Sequence, residues 1–99
     1  MRIVAKRTLR EFWQSSQNLD SKGPLDAWHE EVEKADWSTP QEVKAKFRSA
    51  SILKDSRVVF NIKGNDYRLV VKINYPYRMV YIRFVGTHRE YYQVDVEVV

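Results

Sequence analysis

The chain has 99 residues, of which 43% are apolar and 30% charged, so its composition is that of one small globular domain over residues 1–99. It contains no cysteine, which excludes a disulfide scaffold, a thiol nucleophile and a cysteine zinc site. Its longest apolar runs have only four or five residues, so we expect no membrane span. The segment from Met1 to Arg7 lacks the apolar region of a signal peptide, and we expect a cytoplasmic protein.

The net charge of +4 is unevenly distributed along the chain. Residues 44–92 contain eleven Lys or Arg against three acids, whereas residues 1–43 contain six Lys or Arg against eight acids. Solvated surface charge usually mixes the two signs. Because the basic half also holds all six tyrosines, the sequence predicts a polyanionic partner, and nucleic acid in particular.

Helical spacing predicts three helices in the first half, after a short strand at Met1–Ala5. The stripe of the first helix consists of Leu9, Phe12, Trp13 and Ser16. The second begins at Pro24 and is followed by a third, which opens on the capping-box pattern at Thr39 and extends through Phe47. We expect the three tryptophans to lie in the core: Trp13, Trp28 and Trp37.

From Arg57 the hydrophobic period changes to two, which is typical of strands. Three strands are predicted over residues 57–63, 67–74 and 78–85, after a polar loop at residues 49–56. Thr87 is predicted to cap a last helical turn that ends at Tyr92. The tail Val94–Val99 alternates and is expected to be a short extra strand or a partly ordered end.

Alternation predicts two unlike faces for this sheet. The first is apolar and should pack on the helices; its members are Val58, Phe60, Ile62, Tyr67, Leu69, Val71, Ile73, Val80, Ile82 and Phe84. The second collects the cations Arg57, Lys63, Arg68, Lys72 and Arg83. The predicted fold class is therefore α+β, with the N-terminal helices against one face of an antiparallel sheet and the other face free for binding.

The two histidines lie in different elements and neither has a carboxylate cluster, so we expect no metal site and no cofactor. His29 lies among acids and is interpreted as a surface or helix-contact residue, as most lone histidines are. His88 follows the cationic face and can exchange a proton near neutral pH. Arg83 offers a fork of donors to phosphate, and Tyr91 or Tyr92 can stack on a base.

Two segments carry a resemblance to a known family. Arg57–Leu69 (RVVFNIKGNDYRL) and Tyr81–Tyr92 (YIRFVGTHREYY) resemble the HigB family of RelE-like messenger-RNA interferases, the toxins of bacterial type II toxin–antitoxin systems. The second segment is similar to the family pattern Tyr-Ile-Arg…Thr-His-x-Glu-Tyr-Asp. This chain departs from it at Tyr92, where the family usually has Asp, and Asp95 comes three residues later.

The resemblance implies a RelE-like fold and cleavage of messenger RNA, typically in the ribosomal A site. It implies neutralisation by a HigA-like helix-turn-helix antitoxin, and binding of operator DNA only through the complex that the two proteins form. By the same resemblance, His88 is the main proton-transfer residue, Arg83 and Arg68 hold the scissile phosphate, and Tyr91 or Tyr92 stacks a base or acts as an acid. Asn61 and Lys63 would orient the RNA, and the further candidates for RNA contact are Lys54, Arg57, Lys72 and Arg89.

A metal-free cationic site favours attack by the 2′-hydroxyl of the RNA itself, which leaves a 2′,3′-cyclic phosphate and a 5′-hydroxyl. Because only one histidine is near, the second proton-transfer role falls to Lys, Tyr, water or the ribosome, and we expect a weak nuclease in the absence of ribosomes. Two alternatives remain open: a non-catalytic RNA- or ribosome-binding module, and a basic face that seats an acidic protein. DNA reading is disfavoured because no helix is basic enough to enter a major groove.

Overall fold

A computed structural model describes residues 1–99 as a five-stranded sheet with helices on one side. The strands are β1 (Arg2–Val4), β2 (Ser51–Ile52), β3 (Arg57–Ile62), β4 (Tyr67–Asn74) and β5 (Met79–Thr87). Their order across the sheet is β1-β5-β4-β3-β2, and every neighbouring pair is antiparallel except β1 and β5. The α+β class predicted from the sequence is confirmed.

The helices are α1 (Lys6–Trp13), α2 (Lys22–Lys34), α3 (Pro40–Lys46) and α4 (His88–Tyr91). The first ends earlier than its apolar stripe indicated, and a 3-10 turn at Leu19–Ser21 leads into α2 before Pro24. Thr39 caps α3 as predicted, since its hydroxyl accepts a hydrogen bond from the Glu42 amide at 3.4 Å. The tail forms turns, so the extra strand, one of the two alternatives expected there, is not formed. No helix combines the length and the apolar character needed to span a membrane.

The main core lies between the helices and the inner face of the sheet. Trp13, Trp28 and Trp37 are all buried, as predicted. The Trp28 ring meets the Phe60 ring of β3 edge-on with centroids 5.3 Å apart, and the Phe47 ring meets the Phe60 ring at 5.1 Å. This aromatic contact fixes α2 and the end of α3 against the centre of the sheet.

A β-bulge divides β5 and changes which side chains share a face. Val70 lies opposite Phe84 and Val71 lies opposite Ile82, so Arg83 is an extra residue in the register. One extra residue reverses the alternation beyond it. Phe84 therefore lies on the outer face with Val70, and its prediction as an inner-face residue is wrong. Val85 packs against the main core in its place.

The outer face has a small apolar centre of its own. Val59 and Val70 are 3% and 0% exposed, although neither belongs to the main core. The C-terminal tail contacts the sheet near Arg57: the Val99 carbonyl accepts a hydrogen bond from Arg57 Nη2 at 3.3 Å, and Glu97 pairs with Lys54 at 3.8 Å. The expectation of an open cationic surface is therefore wrong for the centre of this face.

Candidate functional site

A capping box fixes helix α4 directly at the end of β5. The Thr87 amide donates to Glu90 Oε1 at 2.8 Å, and the Glu90 amide donates to Thr87 Oγ1 at 3.1 Å. The cap predicted at Thr87 is thus confirmed. The His88 amide donates to the Asp66 carbonyl at 3.0 Å, which ties the first residue of α4 to the turn between β3 and β4. The backbone of His88 is therefore fixed between the end of β5 and the turn that joins β3 to β4.

Four of the predicted catalytic residues form one contact group, which we call the His88 cluster: His88, Tyr91, Tyr92 and Arg68. The rings of His88 and Tyr92 meet edge-on at 4.8 Å, and Tyr92 meets Tyr91 at 5.9 Å. The Arg68 guanidinium carbon lies 5.7 Å from the centre of the Tyr91 ring, within the range of a cation–π contact. Arg68 reaches α4 because it lies opposite Gly86 in the sheet.

The imidazole of His88 has an unusual environment for a structural histidine. The residue is half-buried, and its Nδ1 is shielded from solvent without any hydrogen-bond partner. The nearest acid along the chain, Glu90, is held by the Thr87 amide in the capping box. At the position where the family pattern has Asp, the Tyr92 ring packs against His88. The ring is therefore oriented by aromatic packing and backbone contacts, without a carboxylate.

Arg83 lies on the outer face but outside the His88 cluster. It is exposed, makes no ion pair, and lines a cavity together with Lys72 and Tyr81. Three residues separate it from Gly86, which corresponds to roughly 10 Å along the strand. In this conformation the two arginines have different surroundings, since Arg68 lies over the Tyr91 ring and Arg83 lines the cavity.

Lys63 lies at the edge of the helix layer, and its assignment to the outer face is wrong. Its ammonium bonds Asp20 at 2.7 Å and Asp66 at 3.4 Å. The residue follows the end of β3 with a left-handed φ of 52°, which turns the side chain away from the strand alternation. The hydrogen bond to Asp20 is the main reason why the pKa of Lys63 is raised.

Several other predicted RNA-contact residues are held by protein groups. Arg57 is buried and bonds Asp55 at 2.8 Å, and Lys72 approaches the same carboxylate at 3.4 Å. Hydrogen bonds from Lys72 and Arg57 lower the pKa of Asp55. Lys54 pairs with Glu97 of the tail at 3.8 Å, and the side-chain amide of Asn61 donates to the Ser49 carbonyl at 3.3 Å. Of the predicted cations, only Arg68, Arg83 and Arg89 have no acidic partner.

The outer face has one further cation that was not predicted from the sequence. Arg2 of β1 lies opposite Met79, is exposed and makes no ion pair. Alternation along β1 places Arg2 and Val4 on the same side of that strand. The signal was therefore present, but the face could be assigned only once the parallel pairing of β1 with β5 was known.

Comparison with known proteins identifies the family. Residues 21–94 match the HigB_toxin family, described as the RelE-like toxic component of a toxin–antitoxin system. The chain is 30% identical over 93 residues to the mRNA interferase toxin HigB of Escherichia coli K12, and it matches the mRNA interferase HigB of Shigella flexneri equally well. Each alignment covers 92% of this chain and 88% of the relative.

These matches place the protein among the RelE-like toxins of toxin–antitoxin systems. Within that class, the chain belongs to the HigB toxin family. A toxin of such a system is paired with an antitoxin, so an antitoxin partner follows from the family.

Proposed function

We propose that this chain is an mRNA interferase that cuts messenger RNA at the His88 cluster without a metal ion. The observation that carries the proposal is the contact group itself: an imidazole, two phenols and a guanidinium that has no acidic partner. The printed names of the relatives, which are mRNA interferases, support RNA as the substrate.

The chemistry proposed is transfer of the scissile phosphate to the neighbouring 2′-hydroxyl of the RNA. The oxygen of that hydroxyl attacks phosphorus, its proton passes to a base, and the 5′-oxygen leaves with a proton from an acid. His88 supplies one of these proton transfers, because imidazole works in both directions near neutral pH. Arg68 stabilises the charge that develops on the phosphorane oxygens.

The second proton-transfer group is proposed to be the phenol of Tyr91, with Tyr92 acting on the ring of His88. Tyr91 is half-buried beside Arg68, whereas Tyr92 is 71% exposed and packs its edge on the imidazole. A ring held by packing keeps its orientation without a carboxylate. Tyr92 is therefore a positioning residue in this proposal.

Ribosome dependence is supported by how few of the predicted RNA-contact cations are without an acidic partner. Lys54, Arg57, Lys63 and Lys72 all face carboxylates of the protein itself. Few phosphate contacts mean weak binding of free RNA. We infer that the ribosome positions the message and that the toxin adds the reactive groups. A HigA-like antitoxin is the proposed partner, and operator DNA would be bound only through that complex.

The alternative function is an RNA- or ribosome-binding module without catalysis. One observation favours it: no carboxylate fixes the tautomer of His88, and the position that could supply one holds Tyr92. The two functions predict the same association with ribosomes. They differ only in whether the message is cut.

The test is a comparison of His88→Ala with His29→Ala on ribosomes programmed with a defined message. His29 is the other histidine of the chain and lies half-buried on α2, so its replacement controls for the loss of an imidazole. Removal of the proton-transfer group should lower the rate of cleavage by at least about 100-fold, while His29→Ala cuts normally. Primer extension maps the cuts.

Two results would overturn the proposal. One is normal cutting and normal growth arrest by a folded His88→Ala variant. The other is tight ribosome association by the unaltered toxin with no cut in the message, which would favour the binding module instead.

A further inference from the structure

A cavity of about 330 Å³ lies on the outer face between the ends of β4 and β5. We call it the Arg83 cavity; its polar lining residues are Ser56, Lys72, Asn74, Tyr75, Tyr81 and Arg83. None of these residues belongs to the His88 cluster. The cavity is therefore a separate candidate site on the same molecule.

The charge of the Arg83 cavity suits an anion. Arg83 is exposed and has no acidic partner. Lys72 contacts Asp55 only at 3.4 Å, and that carboxylate is 64% exposed and bonds Arg57 more closely. Exposed ion pairs of this kind contribute little free energy. A phosphate can therefore take Lys72 from Asp55 and gain a charge-assisted bond from Arg83 as well.

The cavity also offers an aromatic side chain that fits the base of a nucleotide. Tyr75 lines the cavity but packs against the main core, and its hydroxyl is shielded from solvent. Tyr81 is half-exposed and lies opposite Lys72 in the sheet. Its ring can stack on a base beside a phosphate held by the lysine.

The sheet register sets the distance between the two sites. Arg68 pairs with Gly86, and Lys72 pairs with Tyr81 four residues further along β4. Four residues of a strand span roughly 13 Å. The cavity therefore lies further along the strands than the His88 cluster, and we assign it to a different nucleotide from the one whose phosphate is cut.

We propose that the Arg83 cavity binds a nucleotide of single-stranded RNA that flanks the cleavage site, with its phosphate on Arg83 and Lys72 and its base on Tyr81. The inference rests on the proposed function, which it deepens. In this arrangement Arg83 binds substrate, and Arg68 is the arginine that contacts the scissile phosphate. This differs from the role that family resemblance implies for Arg83.

The first arm of the test measures binding alone. A fluorescein-labelled 2′-O-methyl RNA cannot be cut, and its anisotropy is followed with the purified toxin over a range of salt concentrations. Arg83→Ala should weaken binding about 10-fold and reduce the slope of log affinity against log salt by about 0.7. Tyr81→Leu should weaken binding by a similar factor without changing that slope.

Arg10→Ala is the matched control, because Arg10 is exposed on α1 and makes no ion pair. It removes the same charge from the other side of the molecule. If Arg83→Ala binds RNA as Arg10→Ala does, the cavity is not an RNA site and the inference falls. Circular dichroism and thermal unfolding of each variant show that the comparison is between folded proteins.

The second arm measures single-turnover cleavage on programmed ribosomes at increasing toxin concentration. For Arg83→Ala we expect a half-saturating concentration about 10-fold higher and an unchanged rate at saturation. A lower rate at saturation with the same half-saturating concentration would place Arg83 on the scissile phosphate and overturn the inference. If the unaltered toxin cuts nothing, the proposed function fails, and the binding arm still decides the cavity.

Discussion

Lys63 lies on a different surface from the one that the strand pattern predicts for it. Strict alternation from Arg57 places it with the outward cations. The left-handed turn after Ile62 directs it instead to Asp20, which also accepts a hydrogen bond from the Tyr67 hydroxyl. Asp20 lies more than forty residues away in sequence. No local pattern could have predicted this partner.

Asp20 should make the stability of the protein depend on pH in the acid range. Hydrogen bonds from Lys63 and then from Tyr67 lower the pKa of Asp20 below its ordinary 3.8. A depressed pKa in the folded state stabilises the fold above the unfolded value, and this stabilisation is lost as pH falls through the folded value. Asp20→Asn should therefore be less stable than the unaltered protein at pH 7, with the difference shrinking as pH falls below 3.8 through the lowered pKa.

Urea unfolding at a series of pH values checks this expectation. Glu33→Gln is the control, since Glu33 makes no ion pair and its replacement should change stability little at any pH. A difference between Asp20→Asn and the unaltered protein that is the same at every pH would contradict the account.

The residues of the His88 cluster were predictable because most of them are neighbours in sequence. His88, Tyr91 and Tyr92 lie on one helical turn, and the Thr87 cap that starts this turn is visible in the sequence. Arg68 was implied by family resemblance, and its position opposite Gly86 needed the strand register. The shielded Nδ1 of His88 depends on packing and could not be predicted.

At the level of elements, strand β5 decides how the two faces of the sheet are built. Its period of two identified the strand, but the bulge at Arg83 is not marked by any glycine or proline. Phe84 was therefore assigned to the wrong face. The same bulge turns Arg83 toward the cavity beside Lys72, while Gly86 beyond it brings α4 close to the sheet.

Gly86 should tolerate no side chain, although its backbone is not left-handed. A Cβ at this position would lie 2.5 Å from Phe84 Cζ and 3.2 Å from Glu90 Oε1. Gly86→Ala would have to displace a packed ring and a capping carboxylate, at a cost of about 1–3 kcal/mol of unfolding free energy. We also expect reduced RNA cleavage, since α4 carries His88.

Gly23→Ala is the matched control, because a Cβ on Gly23 meets nothing within 4 Å. Gly23 lies in helix α2, where alanine should be neutral or stabilise by up to about 1 kcal/mol. Denaturant melts of the two variants measure both values. Equal effects at the two glycines would show that close approach at Gly86 is not what the fold depends on.

For the molecule as a whole, the charge pattern was a better guide to the class of partner than to which cations of the sheet are free on the surface. Residues 44–92 are strongly basic, but several of their cations are neutralised within the chain. Asp55 acts from within this half, whereas Asp20 near α2 and Glu97 in the tail come from other segments. Val59 and Val70 are buried as well, so the centre of the outer face is not open to a partner. The proposed RNA sites are the His88 cluster at one end of the sheet and the Arg83 cavity further along.

The central claim is that the 2′-hydroxyl of the message displaces the 5′-oxygen beside His88. The most direct measurement is the identity of the ends that the toxin leaves on a cut message. The account predicts a 2′,3′-cyclic phosphate or its 3′-phosphate hydrolysis product on one fragment, and a 5′-hydroxyl on the other. Fragments that end in a 3′-hydroxyl and a 5′-phosphate would contradict it, because that outcome requires water to attack phosphorus with the 3′-oxygen as the leaving group.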